Sequence, residues 1–166
     1  PLVSVVFSFR NEAENLPEIA AAILAALPAA TLLVVDDRSP DGTGQIADGL
    51  AAADLRVRVL HRAAKAGLGR AYLAGFRVAL DAGAARIIQM DADWSHDPEA
   101  TPSLLDPLVA GMADLVIGSR YTPGGQVVDW GIFRRVVSRG GSLFARVVLG
   151  LPANDLTGGF KAWRGA

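Results

Sequence analysis

The stretch Ile87-Ile88-Gln89-Met90-Asp91-Ala92-Asp93-Trp94-Ser95-His96 brings together two things a folding chain normally keeps apart. Its first four residues read as a strand buried on both faces. Two carboxylates follow at once, with one residue between them. Burial penalises a charged carboxylate, and two held close repel each other. That cost is tolerable where a ligand or cation neutralises the charge. In open α/β sheets the carboxyl ends of the strands are where ligands bind.

Working outward, the same rhythm recurs. Leu2 to Phe7 reads as a buried strand. Asn11 followed by Glu14 predicts a capping box, with Asn11 as N-cap. Leu16, Ile19, Ile23, Leu24 and Leu27 then mark one apolar helical face, which Pro28 ends. Thr31 to Val35 is a second strand, stopped by Asp36-Asp37. Turn chemistry at Ser39-Pro40-Asp41-Gly42 leads into a helix to about Ala53. Val57 to Leu60, Leu68 to Ala82 and Arg86 to Met90 read as strand, helix and strand. Asp97 and Pro98 start a helix to Ala110 as N-cap and N1. Leu115 to Ile117 is a fifth strand. After Arg120 come a Gly-rich loop and an Arg-rich segment with helical spacing from about Ile132 to Leu149. The expected fold is α/β: a doubly wound, mainly parallel sheet with helices on both faces.

Polar residues cluster at one edge of that sheet. Arg10 and Glu12 follow strand one, Asp36 and Asp37 strand two, Asp91 and Asp93 strand four, and Arg120 strand five. An isolated D-x-D is most often a pair of solvated loop aspartates. After a buried strand, the pair suits a hard divalent cation, Mg²⁺ or Mn²⁺, completed by the phosphates of a nucleotide. Asp36 and Asp37 suit base N–H groups or ribose hydroxyls, although an Asp-rich turn is the plainer reading. Lys65-Ala66-Gly67-Leu68-Gly69 before a helix suits an anion about as well as a simple tight connection. No dinucleotide fingerprint or P-loop is present. His96 beside the acidic loop reads as a helix-start or supporting residue rather than a general base. Trp94 and Trp130 read as packing or interface residues.

Composition narrows the class. The chain has 166 residues, 51% of them hydrophobic, enough for one domain with a substantial core. Lys+Arg number 16 against 17 Asp+Glu, so no global charge attracts nucleic acid, and none is expected as a partner. The lack of cysteine excludes disulfides and thiolate metal sites. No apolar run approaches the roughly 20 residues of a transmembrane helix, and no signal peptide is visible. The chain begins at Pro1 and stops at Ala166 with no evident closing element, so it reads as a fragment, residues 1–166 being one domain cut short at its C-terminus. Within it, 120–166 would face a membrane surface, because Arg134, Arg135, Arg139 and Arg146 interleave with apolar residues, although a solvated basic helix face is the plainer reading.

Several pieces in order resemble the dolichyl- or polyprenyl-phosphate mannosyltransferases, within the GT-A glycosyltransferases of family 2. They are Asn11-Glu12-x-Glu14-Asn15-Leu16, Val35-Asp36-Asp37-x-Ser39-Pro40-Asp41-Gly42-Thr43-Gly44, and Lys65-x-Gly67-Leu68-Gly69-x-Ala71-Tyr72. Next come Met90-Asp91-Ala92-Asp93-x-Ser95-His96, Gly118-Ser119-Arg120-Tyr121, Gly124-Gly125-x-Val127, Ser138-Arg139 and Asp155-x-Thr157-Gly158-Gly159-Phe160. The resemblance implies a GT-A Rossmann-like fold and inverting, metal-dependent transfer of mannose from GDP-mannose to a polyprenyl phosphate. It places the protein as a peripheral protein at the cytoplasmic membrane face, with room for a membrane partner domain outside this chain.

By that likeness Ser8, Arg10, Glu12, Val34, Asp36, Asp37, Lys65, Gly67 and Ala92 bind the nucleotide. Asp91, Asp93 and Ser95 hold Mg²⁺ or Mn²⁺ with the diphosphate. Arg120, Arg134, Ser138 and Arg139 grip the acceptor phosphate, and Asp155 sits near the transfer point. Asp91, Asp93, Arg120 and Asp155 form the catalytic set. The rival readings are a UDP-glucose-dependent glucosyltransferase and a non-catalytic nucleotide-sugar-binding or membrane-docking module. The sequence departs from the family at Ser8-Phe9-Arg10, where Pro-Thr-Tyr is usual. It departs again at Arg38, in place of a small residue, and at Trp94, in place of Leu.

Overall fold

A computed structural model of the chain describes residues 2–9, 11–64, 67–119 and 158–165, with Gly140, Val148, Gly150 and Asp155 as single positions. Within them run β1 (Leu2–Phe9), α1 (Leu16–Ala26), β2 (Thr31–Asp36), α2 (Thr43–Ala53), β3 (Val57–His61), α3 (Leu68–Asp81) and β4 (Ala84–Met90). A 3₁₀ turn, Pro98–Ala100, then runs into α4 (Thr101–Val109), followed by β5 (Leu115–Ile117) and β6 (Lys161–Arg164). Asp97 caps the turn as expected, its Oδ1 accepting from Glu99 N–H at 2.9 Å. The Arg-rich segment expected to be helical lies almost wholly outside the described residues.

The six strands form one sheet in the order β3-β2-β1-β4-β6-β5. β1, β2, β3 and β4 pair in parallel, and β6 inserts antiparallel between β4 and β5. The sequence reading did not include β6. The cue lay in Phe160-Lys161-Ala162-Trp163, whose alternation buries Phe160 and Ala162. The expected capping box is corrected. α1 starts at Leu16 behind Asn15, with no side-chain cap, and Asn11 stands at φ 64°. The backbone N–H groups of residues 11–13 are taken by another loop, described below, so the first turn cannot form there.

The sheet is buried on both faces, which is why its strands read as continuous apolar runs. On one face Val5, Phe7, Leu32, Val34, Ile88 and Met90 pack against α1, α4 and Ala47 of α2. On the other, Val6, Leu33, Val35 and Ile87 pack against Ala71, Tyr72 and Ala79 of α3. α3 approaches closely at Gly75, where a Cβ would lie 2.5 Å from Val6 Cγ1 and 2.8 Å from Val35 Cγ2. Gly75→Val is therefore expected to overpack this layer and lower stability by about 1–3 kcal/mol, read as a lower urea midpoint with an unchanged slope.

Candidate active site

The register sets the strand ends abreast. Phe9 pairs with Asp36 and Asp36 with His61, while Phe7 pairs with Met90. The chain moves outward from β1 through β2 to β3, then crosses by way of α3 to β4 on the other side of β1. The direction of winding thus reverses between β1 and β4, and ligands of such sheets bind in the crevice at that reversal. Ser8 lies at its β1 side and Asp91-Ala92-Asp93 at its β4 side. β6 runs the other way, with Lys161 beside Gln89, so its entry turn, Gly158-Gly159-Phe160, reaches the same edge.

The loop Ser39-Pro40-Asp41-Gly42-Thr43 joins this edge to its neighbour. Asn11 N–H donates to Ser39 Oγ at 3.3 Å, Glu12 N–H to Thr43 Oγ1 at 3.1 Å, and Ala13 N–H to Asp41 Oδ2 at 3.2 Å. Asp41 Oδ1 also accepts from Thr43 N–H at 3.1 Å and its hydroxyl at 2.6 Å. The Thr43 hydroxyl bond, helped by backbone N–H donors, holds the Asp41 carboxyl below its ordinary range. Gly42, at φ 93°, supplies the left-handed turn between them. The side chains of this piece therefore fasten the β2–α2 loop to the β1–α1 loop.

Asp36 and Asp37 are buried, and both carboxylates are engaged. Asp36 Oδ1 accepts from Ser39 N–H at 3.0 Å, while Oδ2 lies 3.4 Å from His61 Nδ1. His61 Nε2 reaches Asp48 at 2.9 Å, and Arg62 pairs with Asp37. The His61 ionisation is pushed up, chiefly by Asp48 and then Asp36, against a desolvation that opposes it. A Cβ on Gly44 would sit 2.9 Å from Asp36 Oδ2, so the α2 start packs directly on this carboxylate. His61 and Arg62 escaped the sequence reading because their partners lie 25 residues back in the chain.

Asp91 and Asp93 divide in environment. Asp93 is exposed, and its Oδ1 accepts from Ser95 N–H at 3.0 Å. The Asp91 side chain is only 31% exposed and held on several sides. The Tyr72 hydroxyl lies 2.7 Å from Asp91 Oδ1 and 2.9 Å from the Met90 carbonyl. His96 Nε2 lies 3.4 Å from Asp91 Oδ2, a longer contact, and the imidazole stacks on Phe160 at 5.1 Å. A Cβ on Gly159 would run into Asp91 Oδ2, and one on Gly118 into the Phe160 ring. Trp94 stands at φ 58° and is 44% exposed, and nothing among the described residues explains the strain.

Other predicted residues fall at varied depths. Ser8 and Ala92 are buried at the crevice, and Gly67 caps α3 at φ 92°. Glu12 accepts from Asn15 Nδ2 at 2.7 Å. Val34 lies in the core beneath the edge. Asp155 is 1% exposed, with a Cβ position on Gly158 only 3.5 Å from its carboxylate. Half-buried Lys161, not singled out from the sequence, feels Asp155, while desolvation pushes its ionisation down. Arg10, Lys65, Arg120, Arg134, Ser138 and Arg139 lie outside the described residues. Among the described residues no three potential ligand side chains converge on one point. Asp91 and Asp93 nevertheless fit Mg²⁺ or Mn²⁺: they are oxygen donors on one turn, and the glycine beside Asp91 leaves its carboxylate room. Such ions commonly take one or two carboxylates plus substrate phosphates.

A mainly parallel α/β sheet with helices on both faces and acidic strand ends at its reversal point is a fold of GT-A type. Residues 4–164 match the family model described as "Glycosyl transferase family 2", and the chain belongs to that family. It is 51% identical over 154 residues to an undecaprenyl-phosphate mannosyltransferase of Micrococcus luteus, covering 93% of this chain and 63% of the relative. It is also 51% identical over 161 residues to a polyprenol monophosphomannose synthase of Mycolicibacterium smegmatis, covering 96% and 60%. The chain thus spans less than two thirds of these relatives. A solved mannosyltransferase from Pyrobaculum calidifontis, in complex with GDP-Man and Mn²⁺, superposes with a TM-score of 0.58 at 19% identity, over 98% of this chain and 44% of that one.

Two outcomes test the loop assignments. Asp41→Ala removes acceptors for Ala13 and Thr43 and is expected to cost about 1 kcal/mol in urea denaturation. His61 holds its proton more tightly folded than unfolded. Its contribution is complete below the ordinary histidine value of 6.5 and is lost as pH rises through the raised folded value. Stability should decline across that window, and His61→Gln should flatten the decline.

Proposed function

We propose that the protein transfers mannose from GDP-mannose to a polyprenyl phosphate, working peripherally at the cytoplasmic face of a membrane. The observation that carries this reading is the 51% identity, over 96% of the chain, to a polyprenol monophosphomannose synthase. The geometry supports it, since a reversal-point crevice with oxygen donors at its rim suits a nucleoside diphosphate and a hard cation. No helix among the described residues is long and apolar enough to cross a membrane, so contact with a lipid acceptor falls to the surface of the domain.

The chemistry asks little of acid–base groups. The acceptor is already an anionic phosphate oxygen, so it needs no general base. That oxygen attacks the anomeric carbon, the carbon–oxygen bond to the diphosphate breaks, and a single in-line displacement inverts the sugar. Asp91, Asp93 and Ser95 would hold Mg²⁺ or Mn²⁺, which when bound supplies positive charge against the departing diphosphate. The strand ends at Ser8, Glu12, Asp36 and Asp37, with Arg10, orient the nucleoside, with Val34 beneath and Ala92 across the crevice. Lys65 and Gly67 approach the diphosphate. Arg120, Arg134, Ser138 and Arg139 clamp the acceptor phosphate, for which guanidinium forks are well suited. Asp155, with Lys161 near it, lies at the point of transfer.

Labelled GDP-mannose, a short polyprenyl phosphate and Mn²⁺ supplied to the full-length protein should yield polyprenyl-phosphate mannose. Asp93→Ala is expected to lower kcat/KM by at least a hundredfold, and chelation should have the same effect. No transfer from GDP-mannose, with transfer from UDP-glucose instead, would overturn the donor. Metal-independent GDP binding without transfer would identify a binding module.

A further inference from the structure

One side chain rises from beneath the sheet to the β4 side of the reversal-point crevice. Tyr72 sits on α3, the helix that carries the chain from β3 to β4. Its ring is buried in the layer beneath the sheet, against Phe76 at a centroid distance of 6.2 Å. Its oxygen emerges between the ends of β1 and β4. There it lies within bonding distance of the Met90 carbonyl and Asp91 Oδ1. A phenol has one proton to give. The carboxylate is both the nearer and the charged acceptor, so the proton goes to Asp91. The hydroxyl, on a buried ring and 2.7 Å from a carboxylate oxygen, is placed as the donor to Asp91.

The other oxygen of Asp91 meets His96, whose ring is 10% exposed and fixed by its stack on Phe160. Phe160 in turn packs over Gly118, at the end of β5, where a side chain would collide with it. Gly159, one residue earlier, lets the backbone press against the same carboxylate. Asp91 is thus gripped from α3, from its own loop and from the turn entering β6. Asp93, exposed and bonded to the Ser95 N–H, has no comparable grip among the described residues.

We propose that Tyr72 is the positioning residue of the cation–diphosphate half-site, its hydroxyl fixing one oxygen of Asp91 while His96, seated on Phe160, steadies the other. This rests on the reading of Asp91 as a ligand of that half-site. A partner that orients a ligating carboxylate sets how much ordering is left for binding to accomplish, and removing such partners typically weakens metal affinity or activity roughly 10- to 100-fold.

The test titrates Mn²⁺ into the full-length protein with GDP present, read by calorimetry and by the electron paramagnetic resonance signal of free Mn²⁺. Tyr72→Phe removes only the hydroxyl, and His96→Phe keeps the stack on Phe160 while removing the nitrogen. Both are expected to raise the Mn²⁺ Kd, Tyr72→Phe by roughly 10- to 100-fold. GDP affinity without metal should hardly move, and Gly75→Val, which lowers stability away from the half-site, should leave the Mn²⁺ Kd unchanged, which separates positioning from general destabilisation. Asp91→Ala runs in parallel. If Asp91→Ala abolishes Mn²⁺ binding while Tyr72→Phe keeps the wild-type Kd, the positioning role is overturned and the Asp91 assignment stands. If Asp91→Ala leaves Mn²⁺ affinity unchanged, the Asp91 assignment itself fails and takes the inference with it.

Discussion

The hydrogen bond from Tyr72 to Asp91 crosses from the layer below the sheet to its ligand edge, and it answers a problem that recurs along that edge. A carboxylate at the end of a buried strand loses solvation and needs donors or positive charge in return. Asp36 finds a backbone N–H and the His61 ring, and Asp37 finds Arg62. Asp91 finds a phenol and an imidazole. Each solution ties a different crossover element to a strand end: the β2–α2 loop at Asp36, the end of β3 at Asp37, and α3 at Asp91. Compensating the charge and fixing the shape of the edge are therefore the same act. Asp93, left in solvent, carries no such obligation.

Much of this was legible from the sequence, for a local reason. Apolar runs such as Thr31 to Val35 and Ile87 to Met90 declare strands buried on both faces. The acidic residues that stop them mark the carboxyl edge without any knowledge of strand order. What escaped depends on contacts distant in sequence. Ser39-Pro40-Asp41-Gly42-Thr43 reads as a turn, yet three of its side chains cap backbone groups about 30 residues earlier. Those same bonds undo the capping box that Asn11 and Glu14 suggest, because the N–H groups of that stretch face another loop. Tyr72 reads as one more core aromatic on a helical face, and only its hydroxyl betrays the second role. β6 escaped because it is four residues long and pairs against the direction of its neighbours.

Membership of glycosyl transferase family 2 gives a context for the three non-glycine residues held at positive φ. Asn11, Arg38 and Trp94 follow the ends of β1, β2 and β4. Backbone strain of this kind costs on the order of 1–3 kcal/mol per residue and tends to gather where a site is shaped for a ligand. Asparagine accepts such a conformation readily; arginine and tryptophan do so at a steric penalty. All three lie on the edge that carries the acidic residues, and among the described residues the opposite edge has only glycines in that conformation, at Gly83 and Gly111. Conformational tension and negative charge are thus stored on the same side of the sheet.

The place of β6 has a temporal consequence. The strands that carry Asp36 and Asp91 are complete by residue 90, and β1 to β4 could pair as soon as that much chain is available. The turn that presses Gly159 against Asp91, and the Phe160 ring beneath His96, come some 70 residues later. During vectorial synthesis the parallel half of the sheet can therefore exist before the carboxylate has its full surroundings. The surroundings of Asp91 are completed only once the antiparallel strand lies between β4 and β5, so the sheet takes its shape before that carboxylate is fully enclosed.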